Sequence, residues 1–236
     1  WRNLWRLYTS HLLFKLIHFI AIIMKNTLFP IFLKTETARF LIVGGGKVGL
    51  EKTLTLLKQN PDMAITIVSP ELHPELSTVI AKNENVTVIV RKFEPQDLNQ
   101  ADFVIIATAN TELNIGIRKQ AKAKGLLVNA ADQPALCDFY LGSIVNKGSL
   151  KVAFSTNGKS PVLARRLREY FEQVIPDEVD TSIDQLNKLR NAHSGDFNAK
   201  LKTLNKITAP LITKKNNLQK NRKTIIRVFL YLLVFM

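Results

Sequence analysis

The chain has 236 residues, 46% hydrophobic and 22% charged, which fits one large or two small folded domains with a proper core and excludes a disordered or fibrous chain. Its formal net charge is +14, but the acid-free segments 1–23 (Arg2, Arg6, Lys15) and 214–236 (Lys214, Lys215, Lys220, Arg222, Lys223, Arg227) supply most of that excess, so no nucleic-acid partner is expected. The lone Cys137 excludes an intramolecular disulfide or a thiolate cluster, and His11, His18, His73 and His193 lack metal-ligand spacing, so no metal ligands are assigned.

In chain order, Met24-Lys25-Asn26 reads as a natural start and residues 1–23 as an N-terminal extension. Leu12–Met24 is apolar but broken by Lys15 and His18 and lacks a small-residue cleavage site, so it is not read as a signal peptide. Phe29–Leu33 is expected to be a strand. Phe40–Val43 is a second apolar run, and it breaks into Gly44-Gly45-Gly46-Lys47-Val48-Gly49, a G-x-G-x-x-G turn leading into a helix at Lys47–Gln59. In such a turn Gly44 permits the bend, Gly46 lets the backbone approach a pyrophosphate, and Gly49 permits close helix packing.

Strands follow at Ala64–Val68, Val86–Val90, Phe103–Ala107 and Leu126–Asn129, with helices at Pro74–Lys82 and Glu112–Lys124 and a turn at Pro95–Leu98. This alternation predicts an α/β, Rossmann-like doubly wound parallel sheet in the order 3-2-1-4-5, binding ligands at the carboxyl ends where the order reverses. Beyond Asp132 the pattern changes to a strand at Leu150–Ser155, a turn at Asn157-Gly158 and a helix at Ser160–Gln173 entered through Pro161. Helices at Asp177–Asn191 and Gly195–Ile207 complete a small α-rich region. Ile225–Met236 is apolar except for Arg227, and its twelve residues compare with ~20 for a bilayer span. It reads either as a membrane anchor cut short by the end of the sequence or as an apolar tail packing on the protein.

Three strand ends carry candidate chemistry. The second strand closes with Ser69-Pro70-Glu71, with no acid at the tip and Glu71 two residues on. Ser69 can bond a ribose hydroxyl and no arginine stands ready for a 2′-phosphate, which favours NAD over NADP. The fourth closes with Ala107-Thr108-Ala109-Asn110, whose small and hydroxyl side chains let a nicotinamide ring lie against the backbone. After the fifth, Val128-Asn129-Ala130-Ala131-Asp132 puts a carboxylate at the rim, either a proton-transfer group or the initiator of a Pro-containing turn.

The run Ser155-Thr156-Asn157-Gly158-Lys159-Ser160-Pro161, continuing to Arg165, Arg166 and Arg168, joins hydroxyls, a helix N-terminus and cations into a surface suited to a polycarboxylate. Arg166 and Arg168 read equally as a solvated helix face. Asn129, Ser155, Thr156, Lys159, Ser160 and Arg165 are the candidate substrate contacts.

GGGKVG, ATANTELN, VNAADQPALCDFY and STNGKSPVLARRLRE, in this order and spacing across roughly residues 27–205, resemble the siroheme synthase amino-terminal family of precorrin-2 dehydrogenases and sirohydrochlorin ferrochelatases. The resemblance implies a homodimer that oxidises precorrin-2 to sirohydrochlorin with NAD and, in bifunctional members, takes ferrous iron as a further substrate to give siroheme. It implies that Asp132 is the catalytic proton acceptor of both steps, that Thr156 falls where some members carry a serine near the active site, and that Lys47, Val48, Pro70 and Glu71 fall at NAD contacts. Gly49 stands where relatives often have alanine, a change expected to be harmless, and Asn157 stands where glycine is common, which bears on the freedom of that loop.

No uroporphyrinogen methyltransferase domain follows, so a separate enzyme is expected to supply the substrate. The domains expected are an NAD-binding domain at 24–141, a dimerisation and substrate region at 142–175, a helical domain at 176–213, and a basic linker with apolar tail at 214–236. A cytoplasmic protein, attached to the inner face of the membrane if the tail is an anchor, follows. The competing reading is a nucleotide-sensing regulatory domain of a membrane transporter.

Overall fold

The computed structural model describes residues 26–192 and 197–208. The proposed extension at 1–23, the tail at 214–236, and His11, His18 and His193 lie outside the described residues. Five strands alternate with helices: β1 (Arg39–Gly45), α1 (Lys47–Gln59), β2 (Ala64–Leu72), α2 (Pro74–Ala81), β3 (Val86–Ile89), a 3-10 turn at Pro95–Gln100, β4 (Phe103–Ile106), α3 (Thr111–Ala123) and β5 (Leu127–Ala130). All pairings are parallel and the order is β3-β2-β1-β4-β5, as the alternation predicts.

The continuous apolar runs reflect burial on both sheet faces. Successive β1 side chains point to opposite faces. Phe40 and Ile42 join Leu50, Leu56, Leu57 and Leu76 of α1 and α2, while Leu41 and Val43 join Leu98, Ile117 and Ala121 on the face covered by α3 and the 3-10 turn. Mid-β1 is essentially inaccessible, as is β4 beside it, so the strand whose end carries the glycine turn is firmly anchored in the sheet.

Further on come a short 3-10 turn (Pro134–Leu136), a two-stranded antiparallel hairpin of β6 (Ser143–Lys147) and β7 (Leu150–Phe154), and the helices α4 (Pro161–Val174), α5 (Val179–Ala192) and α6 (Phe197–Thr208). The described residues divide into two compact units, one comprising residues 26–146 with Val152–Phe171, the other Lys147–Lys151 with residues 172–192 and 197–208. Within the first, Phe154 packs on Phe171 at 5.2 Å, holding α4 to β7. Within the second, Asp177 pairs with Lys147 and Asp180 accepts the Ser149 amide at 2.7 Å, fixing the hairpin turn at the entry to α5.

Three local expectations are corrected. Phe29–Leu33 joins no ladder, and Phe29 and Phe32 are exposed, since an apolar run becomes a strand only where an edge receives it. β6 was not anticipated because its sequence, Ser-Ile-Val-Asn-Lys, is too polar and short to stand out. β2 does not stop at Val68 but runs through Ser69-Pro70-Glu71 to Leu72.

Candidate functional site

A cavity of about 950 Å³ opens at the carboxyl ends of β2, β1, β4 and β5, the switch point at which doubly wound sheets hold ligands. The turn after β1 depends on close approach. Gly44 has φ +111°, and a Cβ there would lie 2.5 Å from the Ala107 carbonyl oxygen, so the turn accepts only glycine. A Cβ on Gly49 would collide with the Gly44 carbonyl oxygen. An alanine at 49 would therefore require this turn to shift.

Gly46 is open, with nothing within 4 Å of the place a Cβ would take. α1 begins there with neither a side-chain cap nor an acid in its first turn. Its leading amides thus lack intrahelical acceptors, and the positive helix end meets no carboxylate of its own. Gly44, Gly46, Lys47 and Val48 line the cavity, whereas Gly49 lies beneath the turn as packing. The open backbone and unfilled donors fit a pyrophosphate.

The end of β2 explains the missing tip acid. Val43 pairs with Val68 but Gly45 pairs with Leu72, so β2 carries a bulge that places Ser69, Pro70 and Glu71 on the cavity wall. The buried Ser69 hydroxyl donates to the Glu71 carbonyl at 2.7 Å, so it stabilises the bulge rather than donating to a ligand. Glu71, exposed, is the acid at the true end of the strand.

Lys92 and Phe93, which line the wall beyond β3, were missed. Arg91 fixes their loop by donating to both oxygens of Asp97, at 2.6 and 2.9 Å, and to the Lys92 carbonyl at 2.9 Å, while the Glu94 amide donates to Asp97. The Asp97 side chain is almost fully buried, and the Arg91 guanidinium holds its carboxyl below the usual carboxylate range. The Glu94-x-x-Asp97 spacing, a capping box, was the available signal.

At β4, Thr108 donates to Asn114, accepts the Asn110 amide at 3.2 Å, and receives the Asn114 side-chain amide on its carbonyl at 3.0 Å. Asn114 is buried, so the turn is rigid and leaves the small Ala109 on the cavity wall.

Asp132 lines the same cavity from just beyond β5, with φ 56°, an uncommon conformation for a residue with a side chain. Its surroundings impose it. The Ala131 amide donates to Ile106 at 2.9 Å. The Cys137 sulfur accepts the Ala130 amide at 3.2 Å and stands 3.3 Å from the Ala130 carbonyl and 3.5 Å from that of Gln133. Burial pushes the thiol pKa up, so it stays protonated as a donor at neutral pH. Asp138 closes the loop, accepting Arg118 at 2.7 Å and the Val128 amide at 3.1 Å.

None of the six candidate substrate contacts lines this cavity. Asn129 is buried and donates to the Phe139 carbonyl at 2.8 Å, a structural role. Ser155 accepts the Asn157 amide, Thr156 accepts that of Ser160, and Ser160 caps α4 by accepting that of Leu163. Asn157 has φ 55° and Gly158 φ 74°, so asparagine takes the left-handed position that glycine would otherwise occupy. On α4, Glu169 pairs with Arg166 at 2.7 Å and lies 3.7 Å from both Arg165 and Arg168. The Arg166 hydrogen bond, with the charges of Arg165 and Arg168, holds the Glu169 carboxyl below its ordinary range.

Among the described residues no helix is long and apolar enough to cross a membrane, and no three His, Cys, Asp or Glu side chains gather as a metal site. His73 serves as the N-cap of α2, its Nδ1 accepting the Glu75 amide.

Residues 31–143 match the family described as "Putative NAD(P)-binding", and residues 147–173 match "Sirohaem biosynthesis protein central". The chain is 41% identical over 147 residues to a siroheme synthase of Methylobacillus flagellatus, covering 62% of this chain and 31% of that protein. It is 37% identical over 171 residues to a siroheme synthase of Pseudoalteromonas atlantica, covering 72% of this chain and 36% of that protein. The chain thus spans about a third of the length of these relatives. It shares its fold with a solved structure described as SirC, precorrin-2 dehydrogenase, at a TM-score of 0.61 and 24% identity, covering 83% of this chain and all of that one.

Proposed function

This chain belongs to the siroheme synthase amino-terminal family, and we propose that it is an NAD-dependent precorrin-2 dehydrogenase that forms sirohydrochlorin. The observation that carries the reading is Asp132, held with positive φ at the end of β5 on the cavity that also contains the glycine turn. The two-electron oxidation removes a hydride and a proton from the macrocycle. The bound nicotinamide supplies the hydride acceptor.

The chain supplies the remaining groups. Gly44, Gly46, Lys47 and Val48 receive the pyrophosphate at the start of α1. Glu71, at the end of the β2 bulge, accepts hydrogen bonds from the adenosine ribose and repels a 2′-phosphate, which supports NAD over NADP. Thr108 and Ala109 form a small, rigid wall for the ring. Asp132 takes the proton as a general base. Lys159 and Arg165, with the capped start of α4, recognise the carboxylates of the tetrapyrrole.

Ferrous iron is the substrate of a second step in this proposal. The macrocycle nitrogens hold the metal and Asp132 removes their protons. A homodimer, the region 142–175 as its dimerisation segment, a cytoplasmic site of action and a separate methyltransferase upstream belong to the same reading.

The test is a coupled assay of purified protein with precorrin-2, NAD and ferrous iron, following the spectra of sirohydrochlorin and then siroheme. Turnover to sirohydrochlorin is expected. A folded protein that binds NADH yet leaves precorrin-2 unchanged would overturn the reading in favour of a nucleotide-sensing module.

A further inference from the structure

We propose that Gln133 holds the nicotinamide carboxamide, its side-chain carbonyl accepting the amide N–H; this rests on the dinucleotide reading above. Gln133 lines the cavity beside Asp132. Its Oε1 is buried, and among the described residues it has no hydrogen-bond partner. A buried amide oxygen without a donor is destabilising in any resting fold and is retained where a ligand supplies the donor.

The backbone that carries the side chain is fixed. Its amide donates to the Ala130 carbonyl at 3.4 Å, its carbonyl lies 3.5 Å from the Cys137 sulfur, and the preceding Asp132 is fixed with positive φ. The side chain therefore leaves a pinned backbone.

Its place along the cavity selects the ligand group. Glu71 stands at the end of β2, the glycine turn at the end of β1, and Asp132 and Gln133 at the end of β5, across β4. With the pyrophosphate at the central turn and the adenosine ribose at Glu71, the nicotinamide end lies toward β4 and β5. The Thr108 hydroxyl there already donates to Asn114, and the Asn114 side-chain amide donates back to the Thr108 carbonyl. Beside the Asp132 carboxylate, assigned above to the proton, Gln133 Oε1 is an unpaired side-chain acceptor, and the carboxamide brings an N–H to fill it. Fixing that group sets which face of the ring is turned to the substrate.

The experiment is calorimetric titration of the purified chain with NADH, with its reduced 3-acetylpyridine analogue, which replaces the carboxamide by a ketone and has no N–H at that group, and with ADP-ribose, which has no nicotinamide ring. Wild-type protein should bind NADH about five- to tenfold more tightly than the analogue, the effect of one net hydrogen bond. Gln133→Leu should bind NADH weaker by the same factor, no longer distinguish the two, and keep its ADP-ribose affinity. Gln133→Glu, which retains an acceptor, should keep the discrimination.

Equal binding of NADH and the analogue by wild-type protein overturns the inference without any variant. So does a Gln133→Leu protein that binds NADH normally, or one that loses ADP-ribose to the same extent. Failure of the wild-type chain to bind all three ligands overturns the dinucleotide reading and the inference with it, whereas binding without precorrin-2 turnover overturns only the proposed reaction.

Discussion

The loop Ala130–Asp138 and the turn Ser155–Ser160 each contain a non-glycine residue with positive φ, Asp132 at 56° and Asn157 at 55°, yet they are held differently. The first is tied to the rest of the sheet domain by Asp138 with Arg118 and by Ala131 bonded to Ile106, with the Cys137 sulfur closing the loop on Ala130. The second is tied to itself, through Ser155, Thr156 and Ser160. Asn157-Gly158 adopts the left-handed conformation as ordinary turn chemistry. Asp132 is placed in it by tertiary structure, the pattern expected of a residue whose side-chain position matters. The first loop suits chemistry, and the second suits recognition of a charged surface.

The largest effect should come from removing the carboxylate without releasing the backbone. Asparagine tolerates positive φ, so Asp132→Asn should keep the loop. Turnover of precorrin-2 is expected to fall roughly 10²–10⁴-fold, the usual range for a lost general base, with NADH affinity unchanged by calorimetry. Retained turnover would remove Asp132 from the reaction and end the contrast between the loops.

Next in size is the fastening itself. Asp138→Asn leaves the largely buried Arg118 without its anion, and Arg118 Nη1 already has no partner among the described residues. A loss of about 3 kcal/mol in urea unfolding is expected, the lower end of the range for a broken buried pair. The kcat should fall with it, since Asp132 loses its support. A stable variant with normal kcat would show that the loop needs no external tie.

The exposed segment should respond in the opposite kinetic parameter. Lys159→Ala and Arg165→Ala touch solvated cations, so each should raise KM for the tetrapyrrole by roughly two- to tenfold, shrinking at high salt, with kcat little changed. A fall in kcat alone would mean that α4 takes part in chemistry, and the division between the two regions would fail.

The two regions also differed in how far they could be read before the structure. The sheet was legible because buried parallel strands are continuous apolar runs, and the glycine spacing marked the turn that closes β1. Asp132 was legible as a carboxylate at a strand end, but what holds it was not. Arg118, Cys137 and Asp138 act across twenty residues or fewer through contacts that depend on how α3 packs, and no periodicity encodes that. The Glu71 position was hidden for a different reason. A proline within Ser69-Pro70-Glu71 reads as a strand stop, because proline lacks the ladder donor, yet the bulge accommodates it and β2 resumes at Leu72. In the 155–160 segment the hydroxyls read as ligand contacts, whereas Ser155 and Thr156 accept backbone amides of their own turn and Ser160 caps α4, so the proposal rests recognition on Lys159 and Arg165.

The loop Arg91–Asp97 is a third piece, fastened like the Asp132 loop by a buried carboxylate, and it should give the smallest and most condition-dependent effect. Because Arg91 depresses the Asp97 pKa in the folded state, the unfolded chain binds a proton more readily. The stabilisation is therefore fully present above the unfolded value of about 3.9 and is lost as pH falls through the lower folded value. Wild type should exceed Asp97→Asn in urea midpoint by a constant margin above about pH 5, and the two curves should converge in stronger acid. The variant should also bind NADH more weakly, since the carboxylate positions the Lys92–Phe93 wall of the cavity. A margin that persists unchanged into strong acid would show that the bond geometry, rather than the charge of Asp97, fastens this loop, separating it from the Asp138 case.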